Sequence, residues 1–149
     1  MLTKNLKRNL SDNVDNYEVS TLDVTDFKVS DQFSNVDVII GADVIYDFEI
    51  TDGIINTIKM LICQKPFKPK KIWFSVEKRF IFSVDSLDTM APAFDYFVTL
   101  LEDLRSDLFV NDNIVLSIDF LTLSTIKQSF CYERSKELAM IEFVSSLSL

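Results

Sequence analysis

The chain has 149 residues, of which 48% are hydrophobic and 26% charged, and its formal net charge is −8 at pH 7. This length and composition indicate one folded domain and exclude disorder of the whole chain. The negative charge argues against a nucleic-acid or anionic-membrane surface, because both require a basic patch, and it favours a basic protein segment as partner.

Scarce or absent residue types exclude several kinds of chemistry. The sequence contains no histidine, which excludes histidine-based triads and the commoner zinc centres. Its only glycines, Gly41 and Gly53, cannot form a glycine-rich phosphate-binding loop. Cys63 and Cys131 lie far apart in sequence, and two such cysteines indicate neither a metal site nor a disulfide framework. We expect both to be reduced core residues of an intracellular protein, nuclear or cytoplasmic.

No segment of the sequence predicts a membrane partner. No apolar run reaches the roughly 18 residues of a membrane span. The first residues, Met-Leu-Thr-Lys, lack the hydrophobic core of a signal peptide. We therefore expect a soluble protein.

The first part of the chain predicts a helix end, an edge strand and a loop. Residues 1–10 carry leucines at helical spacing, and residues 11–16 form a polar connection. Polar and apolar residues alternate over residues 17–22 and predict a short strand near a sheet edge. Residues 24–35 indicate a loop.

Residues 37–47, Asp-Val-Ile-Ile-Gly-Ala-Asp-Val-Ile-Tyr-Asp, form the centre of the predicted fold. The β-branched run followed by a glycine, carboxylates and an aromatic is typical of a fully buried strand with polar groups at its carboxyl end. Ligands bind at that end in open α/β sheets. Asp43 or Asp47 could equally be the N-cap of the following helix, and Tyr46 could be a packed aromatic at the helix start.

The rest of the chain predicts alternating helices and strands. Apolar residues spaced so that they fall on one face of a helix predict a helix over residues 50–62. The basic run 65–71 indicates a solvated return loop below a parallel sheet. The remaining predicted elements are a strand at 72–76, a helix from about 85 to 103, a strand at 114–121, a loose connection at 124–135 and a strand at 138–144. The last two strands, with no helix between them, predict an antiparallel pair in an α/β fold.

Four segments occur in an order that is similar to one protein family. They are Val-Ser-Thr-Leu-Asp at 19–23, the central segment 37–47, Glu-Lys-Arg at 77–79 and Phe-Cys-Tyr-Glu-Arg at 130–134. The central segment resembles the signature Asp-Val-Ile-Leu-Ala-Ala-Asp-Val-Val-Tyr-Asp of the seven-strand protein lysine methyltransferases of methyltransferase family 16. This resemblance covers essentially the whole chain, and it implies transfer of a methyl group from S-adenosylmethionine to a lysine of a protein substrate.

The resemblance implies roles for five residues. Asp23 matches the acid that hydrogen-bonds the adenine amino group of S-adenosylmethionine. Gly41 and Ala42 match small residues that let the methionine end of the cofactor lie against the backbone. Asp43 and Tyr46 match the family's Asp-x-x-Tyr motif, which shapes the cofactor and lysine site. Asp43 and Tyr46 are therefore the implied catalytic residues, and Asp23, Gly41, Ala42 and Asp43 the implied cofactor-binding residues.

The resemblance also implies a truncated doubly wound, Rossmann-like class I methyltransferase sheet that ends in an antiparallel strand pair. The family's strand order is 3-2-1-4-5-7-6, and its first two strands and glycine-rich loop, which cradle the cofactor, have no counterpart in this sequence. In addition, Val24 stands where the family usually has a tryptophan that stacks on adenine.

We therefore expect residues 1–149 to form a single domain, the C-terminal part of a methyltransferase domain, with impaired or absent cofactor binding. The central strand should then have an unpaired edge, unless residues 17–22 fill the gap. A non-catalytic remnant that binds a partner protein through this edge is the alternative. The oligomeric state stays open.

Overall fold

The computed structural model describes residues 17–30, 33–83, 87–129, 131 and 133–148. The predicted elements at 1–10 and 11–16 lie outside these residues, as does part of the segment 130–134. The elements in chain order are β1 Val38–Ala42, α1 Phe48–Ile62, β2 Lys71–Glu77, β3 Ile81–Ser83, β4 Asp88–Met90, α2 Pro92–Asp112, β5 Ile114–Leu121, a 3₁₀ helix Leu123–Thr125 and β6 Leu138–Leu147. Of the helices in this part of the chain, none has both the length and the apolar character needed to cross a membrane.

Four strands form one mixed sheet in the order β1-β2-β6-β5. β1 and β2 are parallel, whereas β6 is antiparallel to both β2 and β5. The predicted antiparallel pair of β5 and β6 is therefore confirmed, and β6 inserts between two strands that precede it in the chain. This α/β architecture is consistent with part of a methyltransferase-like fold.

The hydrophobic core lies between one face of the sheet and the two helices. Ile72, Phe74 and Val76 alternate along β2 and are all buried, together with the apolar faces of α1 and α2. The rings of Phe74, Phe97 and Phe143 pack with centroids 5.7–6.4 Å apart, joining β2, α2 and β6. Because burial of one such side chain contributes about 1.5–3 kcal/mol, these three rings are a substantial part of the core that stabilises the sheet.

The second helix begins and ends later than the sequence predicts. Residues 81–83 and 88–90 pair as a hairpin of β3 and β4, so the predicted helix start near residue 85 is wrong. Pro92 instead occupies the first turn, where its missing N–H removes no helical hydrogen bond. The helix ends at Asp112, after which Asn113 adopts a φ of 54°, the left-handed conformation common at helix ends.

Residues 17–22 form no strand, contrary to the prediction. The turn that follows them packs on α1 instead, with the carbonyl oxygen of Val24 so close to Gly53 that an added Cβ would lie 2.6 Å from it. Only glycine permits this approach. Alternation in six residues is not sufficient for a strand, because a strand also needs a pairing partner and a hydrophobic face to bury.

β1 is an exposed strand and not the fully buried strand that its sequence predicts. Among the described residues it pairs with β2 alone, and it therefore forms one edge of the sheet. Val38 is 49% exposed and Ile40 is 71% exposed. The helices cover only the opposite face, so these two side chains have no layer above them in the described part of the chain.

Hydrogen bonds at the two ends of β1 show which backbone groups face the open edge. The backbone carbonyl of Asp37 accepts from the Lys71 N–H at 2.9 Å, and the backbone N–H of Asp43 donates to the Ser75 carbonyl at 2.8 Å. Since alternate residues of a strand direct their backbone groups to opposite sides, the N–H and C=O groups of residues 38, 40 and 42 face outward. The expected unpaired edge is thus present in the described part of the structure.

Two sequence-based expectations about individual side chains are wrong. The basic run 65–71 is not uniformly solvated, because Lys70 lies beneath the loop before β1 and is buried. Cys131 is not a core residue but is exposed, because it lies in the irregular connection between β5 and β6. Cys63 is partly buried and lies 3.5 Å from a carboxylate oxygen of Asp112. Burial and this neighbouring carboxylate raise the pKa of the Cys63 thiol to about 11, so it is not a reactive thiolate.

Candidate functional site

The carboxyl end of β1 turns sharply into α1 through residues 43–47. Asp43 has a φ of 51°, a left-handed conformation in which aspartate is several-fold enriched. Ile45 is buried and anchors the loop to the core. The Asp47 carboxylate accepts from the Ile50 N–H at 3.1 Å and caps α1. Of the two acids that could have been the cap, Asp47 has that role and Asp43 is available for another.

Arg79 joins Asp43 and Tyr46 into one cluster at the carboxyl ends of β1 and β2. Its Nη2 lies 2.9 Å from Oδ2 of Asp43, and its guanidinium carbon lies 5.7 Å from the centre of the Tyr46 ring. We call these three residues the acid–aromatic cluster. All three side chains are about half exposed, and an ion pair in that setting contributes only about 0–1 kcal/mol. Arg79 can therefore leave Asp43 at low energetic cost.

A crevice of about 290 Å³ opens beside the acid–aromatic cluster. Tyr46 and Arg79 line it, together with Phe48 of α1, Ile81 of β3 and Pro92 of α2. Its walls therefore come from both helix N-termini and from the β3–β4 hairpin. The crevice lies at the edge of the sheet where the parallel strands β1 and β2 end, which is the usual position of a ligand site in α/β proteins.

Of the five predicted site residues only Tyr46 lines this crevice, and Asp43 lies beside it through its ion pair with Arg79. Asp23, Gly41 and Ala42 do not line it. Asp23 is exposed, and its carboxylate accepts hydrogen bonds from the Thr25 hydroxyl at 2.7 Å and the Thr25 N–H at 2.9 Å, which lower its pKa. A Cβ at Gly41 would lie 2.4 Å from the Phe74 ring, so glycine here makes room for a core side chain. Ala42 is exposed at the end of β1. The cofactor-binding roles of Asp23, Gly41 and Ala42 stay predictions.

Arg79 is the site residue that the sequence analysis did not assign. The segment 77–79 resembles a family motif, but it carries no signal for contact with Asp43. The signal lies in topology, since residues that directly follow two adjacent parallel strands meet at the same edge of the sheet. Ile81 was missed for a different reason, because the apolar residues around it fit a lead-in to the next helix as well as they fit a strand.

The cluster offers a carboxylate, a phenol and a guanidinium, which bind ligands without a metal. Across the part of the chain that is described, no group of three metal-ligating side chains could hold an ion. The carboxylate of Asp43 and the ring face of Tyr46 attract the same cation, as the position of Arg79 between them demonstrates. The arrangement is therefore suited to a ligand that carries a positive charge.

The chain is similar to methyltransferase-like protein 22 of Mus musculus, with 28% identity over 117 residues. The match covers 78% of this chain and 29% of the relative, so the chain spans less than a third of that protein's length. No family model and no solved structure matches the chain. The similarity supports a methyltransferase-like relationship for this protein.

Proposed function

We propose that the chain is part of an S-adenosylmethionine-dependent protein-lysine N-methyltransferase of family 16, with the acid–aromatic cluster in its catalytic site. The observation that carries this proposal is the position of Asp43, Tyr46 and Arg79 beside a crevice at the end of two parallel strands. The methyltransferase-like relationship supports it. So does the sheet order β1-β2-β6-β5, which corresponds to the last four strands of the family order 3-2-1-4-5-7-6.

The chemistry of the cluster is compatible with lysine methylation. S-adenosylmethionine supplies a methyl group on a positively charged sulfonium. The Asp43 carboxylate and the Tyr46 ring would stabilise that charge, provided that Arg79 moves aside. A lysine must be neutral to accept a methyl group, and the nearby guanidinium of Arg79 disfavours a second positive charge on the incoming amine. The net charge of −8 also suits a lysine-bearing protein substrate.

The residues of this chain fit only one end of the cofactor. The sequence has two glycines, one of them packed against Phe74 and the other against Val24, so neither belongs to a phosphate- or nucleoside-binding loop. Asp23 does not line the crevice and is already hydrogen-bonded to Thr25. We therefore propose that residues 1–149 alone bind S-adenosylmethionine weakly or not at all.

Titration with S-adenosylhomocysteine tests this proposal. Calorimetry should give a dissociation constant well above the micromolar range, while NMR amide shifts at high ligand concentration should be confined to residues 43–48 and Arg79. Asp43→Asn should remove those shifts. Asp103→Asn, on the exposed face of α2, is the matched control and should preserve them. Micromolar binding would contradict the impaired cofactor site, and shifts that spare residues 43–48 would contradict its location.

The open edge of β1 favours a second function, the binding of a partner protein. Outward-facing backbone groups and the exposed side chains of Val38 and Ile40 form a surface to which an extended segment can add as a strand. For any protein that binds this chain, Ile40→Lys should abolish the complex without unfolding the chain, whereas Asp43→Asn should retain it. A complex that tolerates Ile40→Lys would exclude the edge as its binding surface.

A further inference from the structure

We infer that a cavity at the amino end of the sheet binds a small phosphate dianion. The cavity has a volume of about 380 Å³ and lies between the loop before β1 and the segment 64–70 before β2. It is at the opposite end of these strands from the acid–aromatic cluster. The inference is therefore independent of the proposed methyltransferase function.

The charge of the cavity is opposite to that of the protein. Lys65, Lys68 and Lys70 line it, and no aspartate or glutamate is among its described lining residues, although the chain as a whole carries a net charge of −8. None of these three lysines has a carboxylate oxygen within 4 Å in the described part of the structure. The lysines that do form such ion pairs are Lys28, Lys59 and Lys71. The three cavity lysines thus line one space without a direct ion-pair partner in the described part of the structure.

Lys70 is the least expected member of this group because it is only 2% exposed. Its backbone is held by two hydrogen bonds to Ser145, with its N–H 2.8 Å from the Ser145 hydroxyl and its carbonyl 3.0 Å from the Ser145 N–H. Its ammonium donates one of its three N–H groups to the Val36 carbonyl, and the residue lines the cavity. A buried charge without a counter-ion is costly, and an anion in the cavity would offset that cost.

Burial lowers the pKa of Lys70, the nearby charge of Asp37 partly opposes this shift, and the charge of Lys68 adds to it. The cavity therefore holds a cation that the protein itself stabilises incompletely. An anion beside Lys70 would favour its charged form, as neighbouring opposite charges do.

Further hydrogen-bonding groups around the cavity match an acceptor-rich ligand. The Lys68 ammonium uses one donor on the Asn35 side-chain oxygen at 2.9 Å and keeps the others. The Ser30 hydroxyl lines the cavity, and the side-chain oxygen of Gln64 is buried without a hydrogen-bond partner. Rotation of the Gln64 amide would present its NH₂ group to a ligand. Several donors around two or three ammonium groups suit the four oxygens of a phosphate better than the two of a carboxylate.

Inorganic phosphate is the probe that tests this inference. Thermal unfolding and calorimetry are carried out at constant ionic strength, with chloride replacing phosphate. We expect a saturable rise in the unfolding temperature with phosphate, since a ligand that binds only the folded state stabilises it. Lys68→Ala should weaken phosphate binding at least tenfold.

Lys136→Ala is the matched control, because it removes the same charge from an exposed position near the opposite end of β2. It should change the affinity less than twofold. Lys70→Met should abolish binding if it folds, and Lys68→Ala keeps the test decisive if it does not. No saturable effect beyond that of chloride, equal losses in Lys68→Ala and Lys136→Ala, or an equal effect of acetate would each overturn the inference.

Discussion

β1 and β2 are neighbouring parallel strands with similarly apolar sequences, yet only β2 belongs to the core. Ile72 of β2 is completely buried, whereas Ile40 of β1 is 71% exposed. β2 has a strand on each side, but β1 pairs with β2 alone among the described residues. The difference shows that a β-branched run predicts a strand, while the depth of that strand depends on its neighbours.

The less buried strand is the one that carries the candidate site. Asp43 and Tyr46 follow β1, Arg79 follows β2, and the well-packed β2 supports both. The site is therefore built at the boundary between a well-packed strand and an open one. This arrangement explains why the acid–aromatic cluster is half exposed although it lies directly at the carboxyl end of the sheet.

The largest expected effect compares two isoleucines in the neighbouring strands. Ile72→Ala should lower the free energy of unfolding by about 2–5 kcal/mol, because it leaves a cavity in the core. Ile40→Ala should change it by less than about 0.5 kcal/mol, because that side chain is mostly in water. Urea denaturation of both variants measures the difference. Similar losses would mean that β1 is covered in solution.

A smaller loss in the free energy of unfolding is expected at the contact between Gly41 of β1 and Phe74 of β2. Gly41→Ala should cost about 1–3 kcal/mol, because its Cβ would overlap the Phe74 ring. Phe74→Leu in the same chain should relieve part of that cost, and a double-mutant cycle by urea denaturation measures the coupling. Strict additivity would show that Gly41 is not constrained by the core.

The smallest effect on stability is expected from protonation of Glu142, which lies on the face of β2 and β6 that no helix covers. Hydrogen bonds from the Lys71 ammonium and then from Trp73 Nε1 lower the pKa of Glu142 from its ordinary value of 4.5. Because the folded-state pKa is the lower one, this contribution to stability is present above about pH 4.5 and is lost as the pH falls through the folded-state pKa. Trp73 is the only tryptophan, so its fluorescence reports the protonation directly.

Glu142→Gln is the control for this titration, because it removes the ionisable group and keeps a hydrogen-bond acceptor for Trp73. In the folded wild-type protein, Trp73 fluorescence should change with pH with a midpoint below pH 4.5. The Glu142→Gln variant should not show this change. If the midpoint persists in Glu142→Gln, another group titrates beside Trp73. The effect on the free energy of unfolding should be small, since the Lys71 side chain is substantially exposed.

Local patterns predicted most of the regular elements. The strand over residues 114–121 has the predicted bounds, and the helix over 50–62 differs only by two residues at its start. Asp47 was identified as a possible cap because an acid before a helical apolar pattern satisfies free N–H groups at the helix start. These features depend on residues close together in the chain.

The candidate site was predicted in part. Asp43 and Tyr46 were placed at the end of a strand from the motif, and both lie at or beside the crevice. Arg79 was not assigned because its contact with Asp43 joins residues 36 positions apart. The hairpin that contributes Ile81 was missed because a three-residue strand is too short to show the alternation of apolar and polar residues that predicts a strand.

The amino-acid sequence by itself determined the α/β class and the approximate positions of the strands and long helices, because hydrophobic periodicity and helix capping depend on residues that are close together in the chain. Asp43 and Tyr46 were singled out by the resemblance of residues 37–47 to a family signature, since the local pattern alone left their roles open. The tertiary structure alone decided that β6 inserts between β2 and β5, that β1 is an exposed edge, that Arg79 meets Asp43, and that Lys70 is buried beside a cavity. These outcomes depend on contacts between distant segments, whose pairing is selected by the burial of the whole core and not by any local pattern.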